Sequence, residues 1–209
     1  MFSYVPILLC GSKQLITFDF QTESLPVFSD INNCMYELHK NEQYFFDPET
    51  LSHLVSFLAA FNRIGVLCAP MLGQALAKAD RDVTVLDIDE RFARVSGFLS
   101  WNIYRPQRLP QKFDIIICDP PFFKVSLSQL FKAIRVLSHY DLDQKLLISY
   151  LHRRNDAIIG TFTPFKLEPT GFYPSYATIK KIEKNKIEFF GNLGNEAHEK
   201  VSNGPLNNS

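Results

Sequence analysis

The sequence predicts an α/β protein built on a mostly parallel, doubly wound sheet with one late antiparallel strand. Short strand-like runs, "IGVLC" (Ile64–Cys68) and "VTVLD" (Val83–Asp87), are separated by the helix-like "GQALAKAD" (Gly73–Asp80), and strands alternating with helices at this spacing indicate parallel pairing. A further run, "FDIIICD" (Phe113–Asp119), is continuously apolar rather than alternating, as expected of a central parallel strand covered on both faces. With 209 residues, 46% of them hydrophobic, the chain can bury one substantial core and is too short for two independent ones.

Taken in order, residues 4–20 read as two short strands around "GSK", followed by a polar loop with Pro26 that runs to about Asn33. Residues 1–33 are therefore expected to form a small N-terminal accessory, and residues 34–190 the main domain. In "FFDPETLSHLVSFL", Asp47 can cap a helix that has Pro48 in its first turn and Leu51, Leu54, Val55 and Leu58 at helical spacing. A helix is expected from about Glu90 to Gly97, and Leu127, Leu130, Phe131, Ile134 and Leu137 give another its buried stripe. "KLLISY" (Lys145–Tyr150) reads as a strand and His152–Ile159 as a short helix. "FTPFKLE" (Phe162–Glu168) and "YATIKKI" (Tyr176–Ile182) read as late strands, with "KIEFF" (Lys186–Phe190) pairing back through a turn at Lys184 and Asn185. From Gly191 the chain is polar and lacks large apolar anchors, so residues 191–209 are expected to be a disordered tail.

Composition narrows the function. Lys+Arg and Asp+Glu both total 22, so no global basic field announces a polyanionic partner, and any nucleic acid must be held by a local patch. Lys180, Lys181, Lys184 and Lys186 read as a solvated edge hairpin, with a phosphate-contacting patch as the functional alternative. Cys10, Cys34, Cys68 and Cys118 are scattered with no CxxC, which argues for reduced thiols in a reducing compartment. None of the five histidines stands at a metal-like spacing, and no metal site is expected. The N-terminal "MFSYVPILLCGSK" has no basic leader, so neither a signal peptide nor a lipid anchor is expected. No segment approaches the ~18 apolar residues of a membrane span. The expectation is a soluble cytoplasmic protein.

In an open parallel sheet, ligands sit beyond the carboxyl ends of the strands. Three such ends carry chemistry here: "APMLG" (Ala69–Gly73), "DID" (Asp87–Asp89) and "DPPFF" (Asp119–Phe123). In the last, Asp119 supplies a carboxylate acceptor, while Pro120 and Pro121 stiffen the backbone and remove two donors. The exposed groups are then acceptors, suited to hold an NH2 group, and Phe122 offers a flat face to a planar base or a lysine stem. The plainer reading is a rigid turn with both phenylalanines tucked into the core. Asp87 stands where an acid takes the ribose hydroxyls of a nucleotide cofactor, and Asp89 is either its neighbour in that role or a helix cap. With Gly73 alone in "CAPMLGQAL", a diphosphate cradle is absent, which disfavours NAD and FAD.

These residues resemble a known family. Asp-Pro-Pro-Phe after a central strand is similar to the [Asn/Asp]-Pro-Pro-[Tyr/Phe] signature of S-adenosylmethionine-dependent amino-methyltransferases. Over roughly residues 43–182, "QYFFDPETL", "VLCAPMLGQAL", "LDIDERFA" and "KFDIIICDPPF" occur in the order typical of the probable N6-adenine methyltransferases. That group includes an elongation-factor lysine methyltransferase and a zinc-finger ribosomal-RNA adenine methyltransferase. The resemblance implies a Rossmann-like class I methyltransferase fold and S-adenosylmethionine as cofactor. It implies that Gln43, Tyr44, Phe45 and Phe46 pack beside the methionine end of the cofactor. Ala69, Pro70 and Met71 would lie along it, Asp87 and Asp89 at its ribose, and Asn102 near its adenine, where relatives often carry an acid. Asp119, Pro120, Pro121 and Phe122 would hold the target amine. The chain lacks the cysteine and histidine clusters of the zinc-finger relative.

The expected activity is methyl transfer to an amino group, with N6 of adenine in RNA or DNA as the acceptor and protein lysine as the alternative. A rival from another class is a binding module that keeps the fold without cofactor affinity, motivated by the glycine-poor loop and Asn102.

Overall fold

The computed structural model describes residues 35–179 and 186–202. Residues 1–37 and 38–209 are separate units, and every element named below belongs to the second. The strands and turn expected before Asn33, and the turn at Lys184 and Asn185, lie outside the described residues.

Among the described residues the strands are β1 (Arg63–Leu67), β2 (Asp82–Asp87), β3 (Phe98–Ser100), β4 (Ile115–Cys118), β5 (Lys145–Leu151), β6 (Glu168–Pro169) and β7 (Ile187–Gly191). They form one sheet in the order β3-β2-β1-β4-β5-β7-β6. Pairs from β3 to β5 are parallel, and β7 inserts antiparallel between β5 and β6. The strand order reverses between β1 and β4, so the crevice of a doubly wound sheet opens above Leu67, paired with Cys118. All four residues of β4 are buried, as a strand covered on both faces requires.

Helix α1 (Pro48–Leu58) starts as the sequence predicts: the Asp47 carboxylate accepts the Thr50 N–H at 2.8 Å, and Pro48 occupies the first turn. Helix α3 (Leu127–Leu137) is capped by Ser126 and buries Leu127, Leu130, Ile134 and Leu137, while Phe131 remains half-buried and packs edge-on to Phe162 and Phe165. Helix α2 (Pro70–Lys78) places Gly73 against β2, where an added Cβ would lie 2.3 Å from a Val85 methyl. That glycine serves close helix–sheet packing.

The structure corrects four expectations. Glu90–Gly97 is a single 3-10 turn (Glu90–Phe92) followed by turns. The chain must then reverse into β3, and Gly97 does so at φ 78°, where an added Cβ would lie 2.0 Å from the Val83 carbonyl oxygen. Gly97→Ala is expected to lower the urea midpoint by the equivalent of about 1–3 kcal/mol, with the denaturant slope unchanged. "FTPFKLE" is mostly a 3-10 turn (Thr163–Phe165), because Phe162 and Phe165 are buried three residues apart, with only Glu168 continuing into β6. "YATIKKI" makes a single bridge at Tyr176, to Phe46, rather than a strand through Ile179. From Gly191 the chain completes β7 and enters helix α5 (Asn195–Ser202), where the expectation was a disordered tail. One apolar anchor suffices: Val201 is fully buried, and its carbonyl bonds His53 Nε2 on α1 at 3.0 Å. The short helix after β5 is α4 (Asn155–Thr161), preceded by a 3-10 turn over His152–Arg154.

Among the described residues no helix is long and apolar enough to cross a membrane, and no group of three or more His, Cys, Asp or Glu could hold a metal ion.

Candidate active site

The three strand ends meet at the crevice. β4 continues through the Asp119 N–H, which donates to the Leu67 carbonyl at 3.1 Å and so fixes the acid beside the end of β1. Its Oδ1 accepts two hydroxyl hydrogen bonds, from Tyr176 at 2.7 Å and from Ser149 on the adjacent β5. Both bonds fall on the same oxygen, which leaves Oδ2 for a ligand. Desolvation pushes the Asp119 carboxyl up to about 7, against the two hydroxyl bonds that favour its anion. The same burial, with the neighbouring carboxylate second, raises the Tyr176 phenol.

Pro120 is buried and Pro121 half-buried, and Phe122 meets the ring of Tyr150 edge-on at 5.5 Å and 89°. The loop is then tied down. Glu42 Oε2 accepts the N–H groups of Phe123 (2.9 Å) and Lys124 (3.2 Å), the Tyr104 hydroxyl donates to the Lys124 carbonyl at 2.8 Å, and Lys124 Nζ reaches the Lys40 carbonyl. The segment before α1 thus grips the segment after β4. Phe123 is left 70% exposed, so the reading that tucks both phenylalanines into the core does not hold for it.

At the end of β2, Asp87 is 8% exposed, accepts the Asp89 N–H on Oδ1 at 2.9 Å, and is pushed up to about 6 by burial. Asp89 is the cap of the following turn, and its carboxylate is taken by Arg91 and by Gln43 Nε2, at 3.0 Å for the latter. Those bonds, the one from Arg91 foremost, hold its pKa low. Asp89 thus fills the cap role that the sequence offers it. Between the two acids, Ile88 is 63% exposed. Asn102 follows β3 and closes a local turn, its Oδ1 accepting the Tyr104 N–H at 2.8 Å.

The "QYFF" segment divides its work. Gln43 joins Asp89 and Arg91, Tyr44 stacks on His39 (4.9 Å), and Phe45 meets Phe92 edge-on (6.2 Å). Phe46 is buried against Tyr176 (5.0 Å) and Phe189 (6.0 Å). It thereby seats the phenol that holds Asp119. Ala69 and Pro70 are buried at the start of α2, Met71 is half-buried, and the helix has no side-chain cap. Cys68 and Cys118 are free thiols, and the hydrogen bond between them, followed by burial, raises the Cys68 pKa.

Sequence reasoning missed Ser149, Tyr176, Glu42 and Ile88. Only Ile88 left a local signal, a large apolar residue between two acids after a strand.

The family described as "Probable N6-adenine methyltransferase" matches residues 37–193. No curated protein matches the chain. Among solved structures, the chain is similar to magnesium protoporphyrin IX methyltransferase from Synechocystis with bound SAM, at 15% identity over 68% of this chain and 77% of that one, with a TM-score of 0.49. It is also similar to a TehB-like SAM-dependent methyltransferase from Corynebacterium glutamicum (14% identity, 69% and 87% covered, TM-score 0.47). A third is the N-methyltransferase NodS from Bradyrhizobium japonicum (14% identity, 68% and 93% covered, TM-score 0.44).

Proposed function

The chain belongs to the family of probable N6-adenine methyltransferases, and on that premise we propose that it transfers a methyl group from S-adenosylmethionine to N6 of adenine in RNA or DNA. The cofactor supplies an electrophilic methyl group on a sulfonium. The crevice suits a nucleoside cofactor without a diphosphate: Gly73 is turned against Val85 and builds no cradle, while Asp87 ends β2 beside the exposed face of Ile88. In this reading Asp87 takes the ribose hydroxyls, Ile88 lies against the cofactor adenine, and Asn102 stands next to it at the end of β3. Ala69, Pro70, Met71 and the segment Gln43–Phe46 line the remainder. Asp87→Ala is expected to weaken S-adenosylmethionine binding about 10–100-fold, the value of a lost hydrogen bond to a charged group, measurable by calorimetry.

The observation that carries the amine reading is the half-satisfied carboxylate of Asp119. With Oδ1 held by Ser149 and Tyr176, Oδ2 can accept one amine N–H and the Pro120 carbonyl the other, which aims the nitrogen lone pair away from both acceptors. That lone pair would take the methyl group, the N–C bond forming as the C–S bond breaks onto sulfur. The proton released from nitrogen can rest on Asp119, whose pKa of about 7 suits it to take and return one. Positioning accounts for most of the rate. Phe122 offers its half-buried ring to the acceptor base.

Radiolabelled methyl transfer into total RNA, genomic DNA and cytosolic protein tests this reading, with Asp119→Ala as control. Asp119-dependent label in RNA or DNA is expected. Label in protein alone would move the acceptor to lysine. The absence of any S-adenosylmethionine binding would favour a module that has lost the chemistry.

A further inference from the structure

A cationic rim borders the acceptor side of the site, and its parts are mounted on aromatic rings. The Tyr150 ring that meets Phe122 also carries the Arg154 guanidinium, 5.7 Å from its centroid. Tyr150 is 1% exposed, so it acts as a buried support between the two. Tyr150 pairs with Glu188 and Leu151 with Ile187 across β5 and β7, which brings the start of β7 beside the turn after β5. There Lys186 Nζ sits 4.2 Å from the centroid of Tyr173, and the His152 ring packs on the same tyrosine at 5.6 Å. The His152 N–H donates to the Lys186 carbonyl at 2.9 Å, which joins the two halves of the rim.

The acid that β7 carries beside these cations is turned inward. Glu188 is 2% exposed, and its two oxygens are spent on His152 Nδ1 (2.7 Å) and the Gly171 N–H (3.0 Å). Arg153 and Arg154 are exposed, Lys186 is half-buried, and among the described residues of this stretch the exposed acid is Asp156 in the first turn of α4. In a chain with a formal net charge of zero, the described residues here carry a local excess of positive charge beside Phe122. Cation–aromatic contact holds Arg154 and Lys186 in place, so less freedom is lost when they bind an anion.

Resting on the adenine reading above, we propose that this rim binds the phosphates flanking the target nucleotide of a single-stranded nucleic acid, with Arg154 and Lys186 as phosphate contacts. A base whose amine must reach Asp119 Oδ2 beside the half-buried Phe122 cannot remain stacked and paired in a duplex. A lysine-bearing segment would instead bring its own positive charge against Arg153, Arg154 and Lys186, a mismatch that opposes binding.

The test uses single-stranded RNA and DNA oligonucleotides of one adenine-containing sequence and the corresponding duplex, with affinity and methyl transfer followed across a salt series. Arg154→Gln and Lys186→Gln keep most of each aliphatic stem, and Lys132→Gln on α3 is the control. Each rim variant is expected to flatten the dependence of log affinity on log salt by about 0.7, the contribution of one single-strand phosphate contact. KM should rise with kcat nearly unchanged, and Lys132→Gln should match the parent. Stronger binding of RNA or of DNA identifies the source of the strand. Unchanged slope and KM in both variants, with the oligonucleotides still methylated, would overturn the rim while leaving the adenine reading intact. Duplex methylated as well as single strand would overturn the single-strand requirement. Label in protein and none in any oligonucleotide would overturn both readings.

Discussion

Asp119→Ala is expected to lower kcat by at least about 100-fold, the scale of lost reactant positioning, with S-adenosylmethionine affinity retained. The two effects separate because Asp119 follows β4 while Asp87, the acid proposed for the ribose, ends β2, two strands away in the sheet. Asp119→Asn is a sharper variant. It keeps one carbonyl acceptor, as the [Asn/Asp] alternative of the signature implies, and removes the titrating group. Residual activity that no longer depends on pH near neutrality is the expected result. Full activity in Asp119→Ala would sink the assignment.

The second large effect is a dependence of both rate and stability on the protonation of Asp119. In the proposed mechanism the carboxylate form is the acceptor, so kcat should rise with pH through about 7, where burial has pushed this group. Ser149 and Tyr176 stabilise the anion, and removing either hydroxyl raises the pKa further. Tyr176→Phe and Ser149→Ala should therefore move the rise in rate to higher pH, a shift that a merely structural role would not produce.

Stability runs the other way. The group titrates from an ordinary value of 3.8 when exposed to about 7 when folded. Between those values the unfolded chain releases a proton that the folded chain keeps, so stability falls as pH rises through that window and is level above it. Asp119→Asn should thus be more stable than the parent at pH 8, by on the order of a few kcal/mol, and lose that advantage as the pH approaches about 4. Denaturant midpoints at the two pH values measure it. Asp87, raised to about 6 by burial, adds the same sign of pH dependence. Two acids kept at a cost to the folded state fit a site selected for chemistry.

Much of this was legible in the sequence because the signals were local. The apolar run before Asp119, the cap at Asp47 and the acid after β2 each sit within a few residues of the feature they define. The supports of Asp119 were not legible. Ser149 and Tyr176 lie 30 and 57 residues from it, one delivered by the β4–β5 register and the other by the bridge between Phe46 and Tyr176. Glu42 is similarly distant, 81 residues from the Phe123 amide it holds. Nothing in the composition around these positions marks them. The tail reading failed over Asn195–Ser202 because buried Val201, whose carbonyl meets His53, and Ser202, which donates to the Thr170 carbonyl, anchor a helix there.

In the proposed reaction Asp119, with Oδ1 held by Ser149 and Tyr176, presents its other carboxylate oxygen to the N6 amine of adenine. The most direct test of that contact is to methylate a single-stranded oligonucleotide with the parent protein and with Asp119→Ala, digest both products to nucleosides, and identify the methylated base by mass spectrometry. N6-methyladenine nucleoside from the parent and none from the variant is the expected result. Methyl groups on another base or ring nitrogen, or N6-methylation that survives in the variant, would contradict it.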